Sequence, residues 1–168
     1  DRLPAACRRL DIPAEIIEIS RQASSRVTAT PTASPAEKAI GDAYALARTE
    51  RLPAPLKRQV VPMHCRRALE AQIRDLVWMR LLSERSHAQV EQLLHDCDTT
   101  NQLLALLFFG ERRPPDEVYE RLDRLHPGAA GQLRFLNKAA HDPPVDLNPE
   151  ALTGTVRNLM TELRQVAW

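Results

Sequence analysis

Aromatic residues are scarce in this chain, only 4% of 168 residues. A core must therefore be assembled from Leu, Val, Ile and Ala, which suits packed helices better than a β-sandwich. Glycine is scarce too, five in all and scattered. That excludes the GxGxxG and GxxxxGK[ST] loops that cradle phosphates, and the GxSxG and HExxH signatures are equally missing. The three cysteines, Cys7, Cys65 and Cys97, are far apart and odd in number. They fit neither a disulfide framework nor a CxxC knuckle, so a reducing cytoplasm is the expected setting. No run of about 18 apolar residues occurs, which excludes a transmembrane helix and makes a membrane an unexpected partner. Charge of one sign is lacking as well: 23 basic residues face 22 acidic ones, a net charge of +1. No global pull on nucleic acid follows, so any nucleic-acid site must be a local patch.

What is present reads as a folded domain, with 43% hydrophobic and 27% charged residues. Lysine is confined to Lys38, Lys57 and Lys138, and arginine carries the remaining positive charge, a habit of codon usage and not a chemical signal. The chain opens on Asp1 without an initiator Met or signal peptide, so it is expected to be a piece of a longer polypeptide.

Residues 1–33 differ from the rest and form a short β and linker segment ahead of a helical domain over residues 34–168. Residues 3–10 suit a short helix, and residues 15–20 and 26–30 are two β-rich runs separated by a polar turn. Two such strands bury little alone. Beyond a Thr-, Ser- and Pro-rich linker, Ser34-Pro35-Ala36-Glu37 is a capping box with proline at the first helical position. That helix should run to about Arg48. After Pro53 and Pro55, apolar positions Val61, Cys65, Leu69, Ile73 and Leu76 recur at helical spacing over residues 56–82. Pro62 inside this stretch should start a new helix or kink the old one.

Ser86 with Gln89 should cap the next helix, and Thr99 or Thr100 another, stopped by Gly110. Residues 103–109 are apolar on nearly every side, which makes that helix central. Residues 114–126, 127–141 and 148–166 complete the set. The fold class expected is all-α, an irregular bundle of about seven helices with a short N-terminal two-stranded β segment.

Two polar faces stand out. Arg134, Asn137, Lys138 and His141 lie at i, i+3, i+4 and i+7, one side of a helix that His141 closes. An imidazole at a helix C-terminus meets the negative end of the dipole, which favours its protonated form. On the long helix, Arg66 and Glu70 are four apart, as are Glu70 and Arg74. Simple ion pairing on a solvated surface accounts for that spacing equally well. His87, His95 and Cys97 lack a fourth ligand and a suitable bite, so a metal is not expected.

The segment Arg134-Phe-Leu-Asn137-Lys-Ala-Ala-His141 resembles the R-x(4–6)-H pattern of HEPN domains, small all-α domains. The spacing alone also occurs at Arg58/His64, Arg80/His87 and Arg121/His126. Context selects Arg134/His141: the end of the penultimate helix, Asn137 between them, then a proline loop and a capped final helix. The stretches beginning VPMHCRRALEAQIRD and FLNKAAHDPP are also similar to a C-terminal region of bacterial RecF- or SMC-like AAA-family ATPases.

This resemblance implies a homodimer whose Arg134 and His141 face a second copy, and a metal-independent ribonuclease in a defence-type ATPase. It implies His141 as general acid or base, Arg134 on the scissile phosphate, Glu70 as the acidic partner orienting Arg66, Arg134 or His141, and Asn137 anchoring loop or substrate. RNA is the implied substrate, no cofactor is expected in this segment, and ATP enters only if another domain supplies its site. Phe135 departs from the pattern, since active members commonly carry a polar residue there.

A second reading is a non-catalytic helical module of the same ATPase, used for dimerisation or for docking a partner protein. A third is a DNA-binding helical domain using Arg8, Arg9, Arg66, Arg67, Arg112 and Arg113, although acidic residues are interleaved among them.

Overall fold

Ser34 accepts a hydrogen bond from the Glu37 amide, and the Glu37 carboxylate reaches back to the Ser34 amide, the capping box that opens helix α1 (Pro35–Arg48). A computed structural model describes the backbone of residues 17–21 and 27–31 and the complete residues 34–166. Six further helices follow: α2 (Ala54–Leu81), α3 (His87–His95), α4 (Thr100–Phe109), α5 (Pro115–Leu125), α6 (Ala129–His141) and α7 (Pro149–Val166). The body is thus all-helical, with seven helices among the described residues. Upstream, the backbones of β1 (Ile17–Arg21) and β2 (Val27–Pro31) pair antiparallel, Ile19 opposite Ala29. The helix expected over residues 3–10 lies outside the described residues, as do Cys7, Arg8 and Arg9.

The helix ends follow local chemistry. Ser86 with Gln89 and Thr99 with Gln102 form two more capping boxes. Gly110 ends α4 in the left-handed region at φ 74°, where a side chain would be strained. Asn148 Oδ1 accepts from the Glu150 and Ala151 amides and starts α7. Helix α6 begins differently. Gly128 is left-handed and has no capping side chain, and Asp123 on α5 accepts from the Ala130 amide instead.

Helix α2 continues through Pro62, so no new helix starts there. An interior proline costs about 3 kcal/mol through its lost N–H and ring clash. Here it is offset by packing: Val61, Cys65, Leu69, Ile73, Leu76 and Leu81 are all buried along a helix wrapped by α1, α4, α6 and α7. Each such side chain contributes about 1.5–3 kcal/mol when buried. Helix α4 is buried on nearly all sides, from Leu103 through Phe108, as its uniform apolarity demands. Arg85 donates to the Gly110 carbonyl at 2.8 Å and Arg80 to the Leu107 carbonyl, satisfying acceptors that the end of α4 leaves open. These contacts fix α4 against α2 and bring the first turn of α4 alongside Glu70.

Candidate functional site

Glu70 sits two turns into the buried half of α2, beside the first turn of α4. Thr100, the first residue of that turn, is 1% exposed and donates its hydroxyl proton to Glu70 Oε1 at 2.7 Å. The same hydroxyl lies 3.5 Å from the amide oxygen of Asn137 on α6. A hydroxyl has one proton, and the short carboxylate contact claims it, so the Asn137 contact is the weaker of the two.

Glu70 Oε1 also accepts from Arg66 Nε at 2.9 Å, one turn earlier on α2. Arg66 then turns its Nη1 to within 2.8 Å of His141 Nε2 at the end of α6. Three helices therefore converge in one chain of contacts, from Asn137 through Thr100, Glu70 and Arg66 to His141. Thr100 is buried, Asn137, Glu70 and Arg66 are half-buried, and His141 is exposed.

The tautomer that the Arg66 contact requires of His141 follows from donor chemistry. A guanidinium only donates, so a hydrogen bond here requires Nε2 to be the acceptor, in the tautomer that carries its proton on Nδ1.

Arg134 is not in this chain. It is exposed, and its guanidinium lies 4.1 Å from the ring centroid of Tyr119 on α5, a cation–π stack. Asn101 Nδ2 donates to the Tyr119 hydroxyl at 2.9 Å, and Asn101 Oδ1 is buried without a partner. Arg134 and Glu70 are thus held by consecutive residues, Asn101 and Thr100, in the first turn of α4. Phe135 beside Arg134 is 43% exposed.

Of the five residues singled out from sequence, Arg66, Glu70, Asn137 and His141 are brought together and Arg134 is drawn aside. Arg74 does not pair with Glu70; it donates to the Leu94 carbonyl at 3.1 Å. Thr100, Asn101 and Tyr119 were not anticipated as site residues. Thr100 had one legible signal: Thr99 takes the cap, which leaves a second hydroxyl on the first turn of an apolar helix. Asn101 and Tyr119 carried none.

Other polar groups are spoken for locally. His87 stacks on Trp78 with ring centroids 4.7 Å apart. Among the described residues no three His, Cys, Asp or Glu side chains gather where they could hold a metal ion. Arg112 donates to the Asp96 carbonyl at 2.5 Å and Arg113 pairs with Glu111 at 2.5 Å. Burial pushes the Cys65 thiol up to about 12. Cys97 is raised too, chiefly by burial, against the lowering effect of Arg112 and Arg74. Both thiols are therefore protonated and poor nucleophiles at neutral pH.

No helix among the described residues is long and apolar enough to cross a membrane. No family model, no curated protein and no solved structure matches this chain.

Proposed function

We propose that the face around His141 is a ribonuclease site of the HEPN type, completed by a second copy of the chain. One observation carries this reading: the exposed imidazole of His141 is held by Arg66, which is anchored to Glu70, itself bonded by Thr100. A neutral imidazole is a competent base, and an adjacent guanidinium is suited to a phosphate.

An RNA phosphate entering this face draws Arg66 Nη1 onto its oxygens and frees the Nε2 lone pair. His141 then takes the proton of the 2′-hydroxyl, whose oxygen attacks phosphorus as the P–O5′ bond breaks. The departing 5′-oxygen needs a proton from the opposite side, which the same ring does not reach. His141 of a second copy supplies it, once its own Arg66 has likewise moved onto the phosphate and its ring has taken up a proton. The products are a 2′,3′-cyclic phosphate and a 5′-hydroxyl. Arg134 and Lys138, exposed on the same helix, would take the flanking phosphates.

A second reading has its own observation. Glu70, Thr100 and Asn137 are bonded within the chain and Arg134 rests on Tyr119. Together with Phe135 exposed where a polar residue is usual, this suits a non-catalytic dimerisation or docking module. In both readings the domain would serve a bacterial defence-type ATPase that binds ATP elsewhere.

End-group analysis tests the proposal. Labelled single-stranded RNA incubated with the protein in EDTA should yield 2′,3′-cyclic phosphate ends, and an all-2′-deoxy strand of the same sequence should stay intact. Cleavage of both strands, or 3′-hydroxyl products, would contradict this chemistry. Intact RNA at every protein concentration would leave the docking module as the better reading.

A further inference from the structure

Helices α1 and α7 run antiparallel and leave a groove of about 430 Å³ between them, apart from the His141 face. Ile40 and Met160 line it as apolar surface, and Tyr44, 44% exposed, stands at its edge. Gly41 and Gly154 line it from the two helices, and a Cβ added at either would meet nothing within 4 Å. Neither glycine has a positive φ, so neither is needed for the backbone.

Two ion pairs link the helices: Arg164 with Glu37 at 3.4 Å, both lining the groove, and Arg48 with Glu150 at 3.4 Å, beyond its lining. Glu37 and Arg48 are about 16 Å apart along α1. Between them, Arg157 lines the groove and forms no ion pair among the described residues. Arg164 is already committed to Glu37 and to Gln72, which leaves Arg157 as the uncompensated charge.

We propose that this groove binds a small amphipathic anion, an apolar body carrying one carboxylate, sulfonate or phosphate. The apolar walls and the space over the glycines would take the body, and Arg157 would take the charge in a charge-assisted hydrogen bond. The volume suits a small molecule, and a partner helix lying along the groove would have to break the Arg164–Glu37 pair that lines it. This site is independent of the ribonuclease reading.

Anilinonaphthalene sulfonate, an apolar ring system with one anionic group, is a suitable probe in a fluorescence titration of the whole chain. One saturable site per chain is expected. Gly154→Leu, which fills the groove, and Arg157→Gln, which removes the charge, should each weaken binding at least about tenfold. Arg157→Lys should retain most of it. Leu is a better helix former than Gly, so the filled variant should keep its fold, and Gly41→Leu repeats the test from the facing helix. Non-saturable binding, or equal affinity in Gly154→Leu, Gly41→Leu and Arg157→Gln, would overturn the proposal.

Discussion

Arg66 and His141, 75 residues apart in sequence, meet at 2.8 Å between Nη1 and Nε2. Because the guanidinium has no acceptor, this contact selects one tautomer of a histidine that is otherwise in solvent. The ¹⁵N shifts of the ring, read where the imidazole is neutral, should report a protonated Nδ1 and a bare Nε2. Arg66→Met should remove that preference while leaving the fold intact, because Arg66 lies at the outer end of the contact chain. A protonated Nε2 in the parent protein would show that the contact does not persist in solution.

Thr100 and Glu70 should be coupled energetically. Thr100→Val keeps shape but removes the donor, and Glu70→Gln weakens the acceptor. Each is expected to cost about 1–2 kcal/mol, because the hydroxyl is buried and its partner is a carboxylate. The double variant should cost less than the two added, by about 1 kcal/mol, in urea unfolding. Strict additivity would mean that the two groups do not interact.

Alkaline pH should destabilise the fold through Cys65. Its thiol is raised from 9.0 to about 12 by burial, so the folded state holds a proton that the unfolded chain releases first. The sign follows: the stability is fully present below about pH 9 and is lost as pH climbs towards 12, by at most about 1.4 kcal/mol per pH unit. Tyrosines and lysines titrate in the same window, so the informative quantity is the difference in slope between the parent and Cys65→Ala. A flatter profile in Cys65→Ala is expected, and identical slopes would contradict burial of the thiol.

Much of this architecture was readable in the sequence because its punctuation is local. Ser34, Ser86 and Thr99 each sit three residues before a Glu or Gln, and Gly110 marks the stop of an apolar run; such signals need no tertiary information. That the helix does not restart at Pro62 was hidden for the complementary reason. Its local penalty is real, and it is outweighed only by apolar contacts from four other helices that no window along the chain displays.

The site divides the same way. Arg66 with Glu70, and Asn137 with His141, are each legible as helix-face pairs, since four residues make a turn. That the two faces meet follows from how α2 and α6 pack, and Thr100, placed by α4, adds the link from Glu70 to Asn137. Arg134 shares the face of His141 by spacing, yet Tyr119, from a different helix, draws it away. Spacing defines which residues share a face; the neighbouring helices decide what each side chain touches.

The most direct test is the rate of single-stranded RNA cleavage in EDTA by the parent protein and by His141→Ala, compared at equal helical content. Loss of a general base should slow cleavage by about 10²–10⁴-fold. Cleavage that survives unchanged in His141→Ala would contradict the assignment of this face as a ribonuclease site.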